Sequence, residues 1–307
     1  MKKRGKMKMS LGDRVFVTAV NITLIVSFII LLYPITYVIS ASFSDPKAVS
    51  SGEMILLPVR ASLDAYEYIL NYKEIWIGYA NTIFYTVVGT LLNLIATIPC
   101  AYALSRKDLS GRKYILTLFV ITMYFSGGLI PSYLNLFELG MINTRWSLLL
   151  PGIVSAYNLI VARTFFSNSI PWELHEAAFL DGCSDIKLFS KVIIPLSAPI
   201  IVVMILYYGV GHWNAYFSAM IYIRDREMYP LQVFLKEILT MGQFAASAMQ
   251  DGASYTAEEM AVLVKQTETA NMIKYAVIVV STAPMMVVYP FVQKYFAKGV
   301  MIGAVKG

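Results

Sequence analysis

The sequence predicts an all-α integral membrane protein with six transmembrane helices, and three observations point there. Hydrophobic residues make up 58% of the 307-residue chain and charged residues only 14%, where an ordinary soluble domain carries about 25% charge. The apolar residues gather in long runs, giving a mean hydropathy of +0.63. Lys and Arg are shared unevenly between alternate connections, as they are in membrane proteins of fixed orientation.

The six runs are residues 15–39, 79–104, 114–130, 147–166, 199–223 and 272–291. The first, 25 residues long, follows a basic N-terminus and exceeds the apolar core of a secretory signal, about 7–15 residues. As a helix it reaches about 37 Å, enough to cross a hydrocarbon layer of about 30 Å, so it reads as an uncleaved first span. No run holds Asp, Glu or Lys in its interior, and Arg163 sits close enough to the end of its run to reach the interface. Gly127, Gly128 and Pro131 make the end of the third run its weakest part, and Pro34, Pro99, Pro151 and Pro284 mark kinks that a membrane helix tolerates.

Fifteen Lys and Arg residues fall on the side of the N-terminus and nine on the other, which also holds 13 of the 19 acids. Both termini are therefore expected in the cytoplasm, in a multi-pass cell-membrane protein. The net charge of +6 follows from this bias and calls for no nucleic-acid partner. The connections 41–78 and 224–271 are long and external, and 1–307 reads as one membrane domain. Cys100 and Cys183 form no CxxC or Cys/His group, so neither a disulfide scaffold nor a metal site is expected.

The cytoplasmic connection after the fourth run carries the most information. In Pro171-Trp172-Glu173-Leu174-His175-Glu176-Ala177-Ala178-Phe179-Leu180-Asp181-Gly182, proline suits a first helical turn. Glu173 and Glu176 complement the positive helix end, and Gly182 suits the position just past the other end. A second short helix from Ser184 to Val192 leads to Pro195. His175 reads as a surface residue of the first helix. Glu176-Ala177-Ala178, then Gly182, then Val192-Ile193-Ile194-Pro195 resembles the EAA signature of ABC importer permeases, with Val192 and Ile194 as conservative departures. Gly211-His212-Trp213-Asn214-Ala215-Tyr216-Phe217 and the tail from Val292 to Gly307 are similar to the carbohydrate-uptake branch, the MalG-like and LplC/YtcP-like permeases.

The resemblance implies a carbohydrate importer, its cargo an oligosaccharide. In it two permeases pair, two ATPase subunits bind ATP-Mg, and an external solute-binding protein delivers the sugar. This chain would bind no cofactor of its own. Glu176, Ala177, Ala178, Asp181, Gly182 and Pro195 would form the ATPase-coupling element, and Lys306 and Gly307 would end a tail that reaches the ATPases. Gln243 and Gln250 would bracket the tip of a loop touching the binding protein. Tyr207, Tyr208, His212, Trp213, Asn214, Tyr216 and Phe217 are candidates for the pathway, because aromatic faces stack on sugar rings while Asn and His bond hydroxyls. The same aromatics equally suit packing or interfacial anchoring.

The chain has no Gly-x-x-x-x-Gly-Lys-Ser/Thr loop, so the ATPase is expected on another polypeptide. A secondary transporter is the alternative, yet the spans lack the paired charges that usually couple ions. A membrane enzyme would need acids or histidines clustered at a boundary, and the external acids are scattered.

Overall fold

Each helix begins and ends where local chemistry lets it. The structure, a computed structural model, describes residues 10–250 and 256–304, with no strand among the described residues. The helices are α1 (Leu11–Ser42), α2 (Pro46–Ser50), α3 (Asp64–Asn71), α4 (Lys73–Ser105), α5 (Arg112–Tyr124), α6 (Leu129–Glu138), α7 (Trp146–Leu149) and α8 (Ala156–Ser169). There follow α9 (Glu173–Leu180), α10 (Asp185–Leu188), α11 (Ile194–Leu196), α12 (Ala198–Trp213), α13 (Phe217–Tyr222), α14 (Leu231–Gln250) and α15 (Ala257–Ala304). A π-helical turn, Phe189–Ile193, joins α10 to α11. Packing divides the chain into two compact units, one of residues up to Asn71 with Leu239–Val280, the other of Tyr72–Ile238 with Ser281 onward.

In the first unit, α1 opens on a capping box. Asp13 N donates to Ser10 Oγ at 3.1 Å and Ser10 N to the Asp13 carboxylate at 3.2 Å, so two otherwise orphaned donors are satisfied. The helix then runs 32 residues with its apolar side chains exposed as far as Ile35, as suits a surface turned to lipid or to another membrane subunit. The connection read from sequence as the long external loop 224–271 is mostly helix, α14 and the start of α15. The two cross at Gly242, where an added Cβ would lie 2.2 Å from Ala270 Cβ. Only a glycine allows that approach.

In the second unit, α4 is the hub, packed against α8 and α12. Its buried face is polar at four-residue or three-residue steps: Thr82, Thr86, Thr90, Asn93 and Thr97. Small residues opposite bring the helices close, with Gly209 of α12 facing Thr86 and Thr90. At one end of α4, Asn81 Nδ2 donates to Glu227 O at 2.6 Å and Tyr229 O at 3.1 Å, and Tyr85 Oη to Met228 O at 2.8 Å. The same segment is tied to the turn before α7. Asn143, in the left-handed region at φ +58°, accepts on Oδ1 from Arg224 N at 2.8 Å and Asp225 N at 2.9 Å.

Three expected spans are not single straight helices. The third stops at Tyr124, and past Gly128 (φ +87°) the chain turns through 114° into α6. The fifth ends at Trp213 and resumes as α13, while a bend of 79° separates α12 from Asp185–Leu196. The fourth breaks at Pro151-Gly152, because proline disfavours helix in the residue before it and Gly152 is left-handed at φ +69°. Among the described residues, α1, α4 and most of α15 can cross a membrane by length and composition, and the two bent pairs raise the number to as many as five. The remaining expected span, α8 with its broken lead-in, is 14 residues of helix, about 21 Å.

The break within the fourth run leaves backbone groups that neither helix can satisfy. Asn93 Nδ2 donates to Ile153 O at 2.8 Å, and Ser155 N donates to Tyr208 Oη at 3.2 Å. Tyr208 in turn pairs with Thr97 at 2.8 Å. Irregular backbone packed inside a protein needs side chains to supply its hydrogen bonds, and here α4 and α12 supply them.

Candidate functional site

The EAA segment folds as the eight-residue helix α9. It ends in a Schellman motif: Cys183 N donates to Ala178 O at 2.9 Å and Gly182 N to Phe179 O at 3.0 Å. Gly182 has φ +67°, so the end of the signature is a backbone requirement for glycine. Beyond it, Ser184 caps α10 by accepting from Lys187 N at 3.4 Å. Pro195, exposed, falls at the second residue of α11, where no backbone donor is needed, and Ser197 N donates to Ile193 O at 2.9 Å. Glu176, Ala177, Asp181 and Gly182 are exposed and Ala178 half-buried. Beside them Phe179, Leu180 and Ile186 are 82%, 85% and 81% exposed, three large apolar side chains of α9 and α10 that the described residues leave uncovered.

The inner face of α9 is held by contacts that sequence reading missed. His175 is half-buried, not a free surface residue: Nε2 lies 3.0 Å from Tyr102 Oη, and its ring stacks on Trp172 with centroids 4.8 Å apart. Tyr102, in the last turn of α4, also meets Phe166 and Phe189. Arg106 bonds Asp185 of α10 and Asp108, whose carboxyl it holds below the usual range through that bond. The α9–α10 platform is thus fastened to the end of α4. Tyr102 lies about 32 Å along that helix from Asn81, so the platform and the 224–229 segment occupy opposite ends of α4.

Residues 75–302 match the family described as the binding-protein-dependent transport system inner membrane component. The chain belongs to this family. As an inner membrane component it is 41% identical, over 96% of its length and 99% of the relative's, to the polygalacturonan/rhamnogalacturonan transport system permease protein YtcP of Bacillus subtilis (strain 168). It is 38% identical to Protein LplC of the same organism, over 91% of this chain and 90% of that one. A solved structure, of a bacterial ABC transporter involved in the import of the acidic polysaccharide alginate, superposes at a TM-score of 0.80 with 36% identity, covering 95% of this chain and all of that one. The inner membrane component is therefore a multi-pass protein of the cell membrane.

The residues singled out for a pathway divide into two sets. Tyr208, His212 and Trp213 bond inward. His212 Nε2 lies 2.7 Å from Asn93 Oδ1, and Trp213 Nε1 donates to Ser281 O at 3.0 Å. Tyr207, Asn214, Tyr216 and Phe217 are exposed, and Asn214 Nδ2 donates back to Val210 O at 3.0 Å. Gln243 is exposed in the middle of α14 rather than at a loop tip, while Gln250 ends that helix and its side chain lies outside the described residues. Lys306 and Gly307 also lie outside them. Cys100 and Cys183 are half-buried free thiols. Among the described residues no three His, Cys, Asp or Glu side chains gather where a metal could sit.

Proposed function

We propose that this chain is one of two permease subunits of an ABC importer, and that its cargo is an acidic oligosaccharide built from uronate sugars. The observation that carries the reading is the 41% identity, end to end, with a permease named for polygalacturonan and rhamnogalacturonan. A subunit of an alginate importer, 36% identical, supports the same cargo chemistry, since these polymers share carboxylate-bearing sugars. Two exposed arginines at the far end of α4 from α9, Arg145 and Arg224, have no carboxylate partner among the described residues and suit such a ligand.

In this reading the chain crosses the membrane six times with both termini inside. The bare face of Phe179, Leu180 and Ile186, with Glu176 and Asp181, docks on one of two ATPase subunits that hold ATP-Mg. Through Tyr102 and Arg106 the platform moves α4, and α4 carries the movement to the 224–229 segment. The external hairpin of α14 and α15, from Gln243 to Gln250, meets the solute-binding protein. Tyr207, Asn214, Tyr216 and Phe217 line the sugar's route, and the tail ending in Lys306 and Gly307 reaches the ATPases.

The test is uptake into proteoliposomes holding the complex and its binding protein, with oligogalacturonides and neutral oligosaccharides of equal length. ATP-dependent uptake of the acidic sugar is expected. Preference for the neutral sugar overturns the cargo assignment, and uptake driven by an ion gradient without ATP overturns the importer assignment in favour of secondary transport.

A further inference from the structure

We propose that a groove between α5 and α8 holds the headgroup of an anionic phospholipid. The groove encloses about 390 Å³ and is lined by Arg112, Lys113, Leu116, Thr117, Val120 and Arg163. Three cationic side chains converge there. None has a carboxylate partner among the described residues, whereas Arg60, Arg106 and Arg226 each do.

The two guanidinium groups are held in place. Arg112 Nη1 donates to Ser105 O at 3.4 Å and Arg106 O at 3.0 Å, and Arg163 Nε donates to Leu104 O at 3.5 Å. These carbonyls close α4, whose last turn carries no basic residue of its own. Each arginine therefore spends one nitrogen on the helix end and keeps further N–H donors, in a planar fork that matches a phosphate.

The apolar wall distinguishes a lipid from a free anion. Leu116 and Val120 follow Arg112 and Lys113 along α5, and Val120 lies about 12 Å further along the axis than Arg112. Cations at one end of a groove and hydrocarbon toward the other, Leu116 half-buried and Val120 exposed, fit a phosphate head with its acyl stem. Inorganic phosphate has no use for the second half. The groove lies at the α9 end of α4, the side that carries the excess of Lys and Arg, where anionic headgroups add attraction for each cation.

The test measures phospholipid retained by the complex after purification from mixed phosphatidylglycerol and phosphatidylcholine, read by mass spectrometry. Wild type should retain the anionic lipid roughly tenfold over its share, and Arg112→Gln/Lys113→Gln/Arg163→Gln should bring the ratio to parity. Lys113→Gln alone, which disturbs no bond to α4, should lower it partway. Equal retention of both lipids by wild type overturns the proposal. So does an equal loss in Lys187→Gln/Lys191→Gln, which would reduce the effect to surface charge, or displacement of the lipid by millimolar inorganic phosphate. None of these readouts involves cargo or ATP.

Discussion

Gly89 is where the packing of α4 on α12 can be tested most sharply. A Cβ built there would lie 2.5 Å from the His212 ring, about 1 Å inside ordinary contact. In Gly89→Ala the ring must retreat, and its 2.7 Å contact with Asn93 Oδ1 opens. Overpacking of this kind costs about 1–3 kcal/mol. An interhelical hydrogen bond within a membrane adds about 0.6, and at most about 1.7. The sum is about 3 kcal/mol, roughly a hundredfold in the unfolding equilibrium. The assay is unfolding of the detergent-solubilised protein in rising SDS, followed by tryptophan fluorescence. The decisive arm is the double variant. His212→Ala removes the ring, so Gly89→Ala/His212→Ala should be no less stable than His212→Ala alone, a coupling that accounts for the whole steric cost. Gly78 supplies the contrast, because its added Cβ would meet the Leu231 backbone at 2.8 Å as well as Phe234. Gly78→Ala should therefore not be rescued by Phe234→Ala. If the Gly89 and His212 effects simply add, the contact is not the reason position 89 is glycine.

Four further outcomes are expected. Glu176→Lys should abolish uptake and weaken ATPase association while leaving membrane insertion intact, and normal uptake would remove α9 from the coupling path. His175→Phe keeps the ring stack on Trp172 and loses the bond to Tyr102, so transport-coupled ATP hydrolysis should fall less than in His175→Ala; equal activity in both variants and wild type would show that this anchor carries no force. Gln243→Cys should react with an impermeant thiol reagent from outside intact cells, and labelling only after lysis would reverse the topology. Deleting residues 303–307 should lower coupled ATP hydrolysis without changing expression or assembly, and full-rate import by the truncated complex would make the tail dispensable.

The elements legible in sequence were those written in local chemistry. Six apolar runs, the acidic first turn and the Gly182 stop of α9 need only their own neighbours to be read, although the helix opens at Glu173, two residues after the expected Pro171. The breaks were harder. Pro151 and the Gly127-Gly128 pair were visible as punctuation, but whether a membrane helix bends or ends at such a place depends on what satisfies the freed backbone. Asn93 and Tyr208 do so here from distant positions. The pathway candidates are side chains that suit sugar, and their chemistry equally suits the internal bonds that Tyr208, His212 and Trp213 make. A stronger signal went unread in α4. Thr82, Thr86, Thr90, Asn93 and Thr97 mark one helical face as polar, a pattern that carries no charge. His175 reads as a surface residue in sequence because its partner, Tyr102, lies 73 residues earlier in the chain.

The break before α8 also bears on how the protein is made. Asn93 has already left the ribosome when Ile153 emerges, so that carbonyl finds its donor at once. Ser155 N–H does not, because Tyr208 comes 53 residues later. At about 5–20 residues per second the wait is several seconds. A bare N–H in hydrocarbon costs several kcal/mol over that interval. In the six-span reading proposed above, the fourth segment would therefore shelter beside the insertion machinery or at the interface until α12 arrives, and the two would enter lipid together. In Tyr208→Phe that shelter has no natural end, so a crosslink between residues near 155 and the translocon should outlast chain completion.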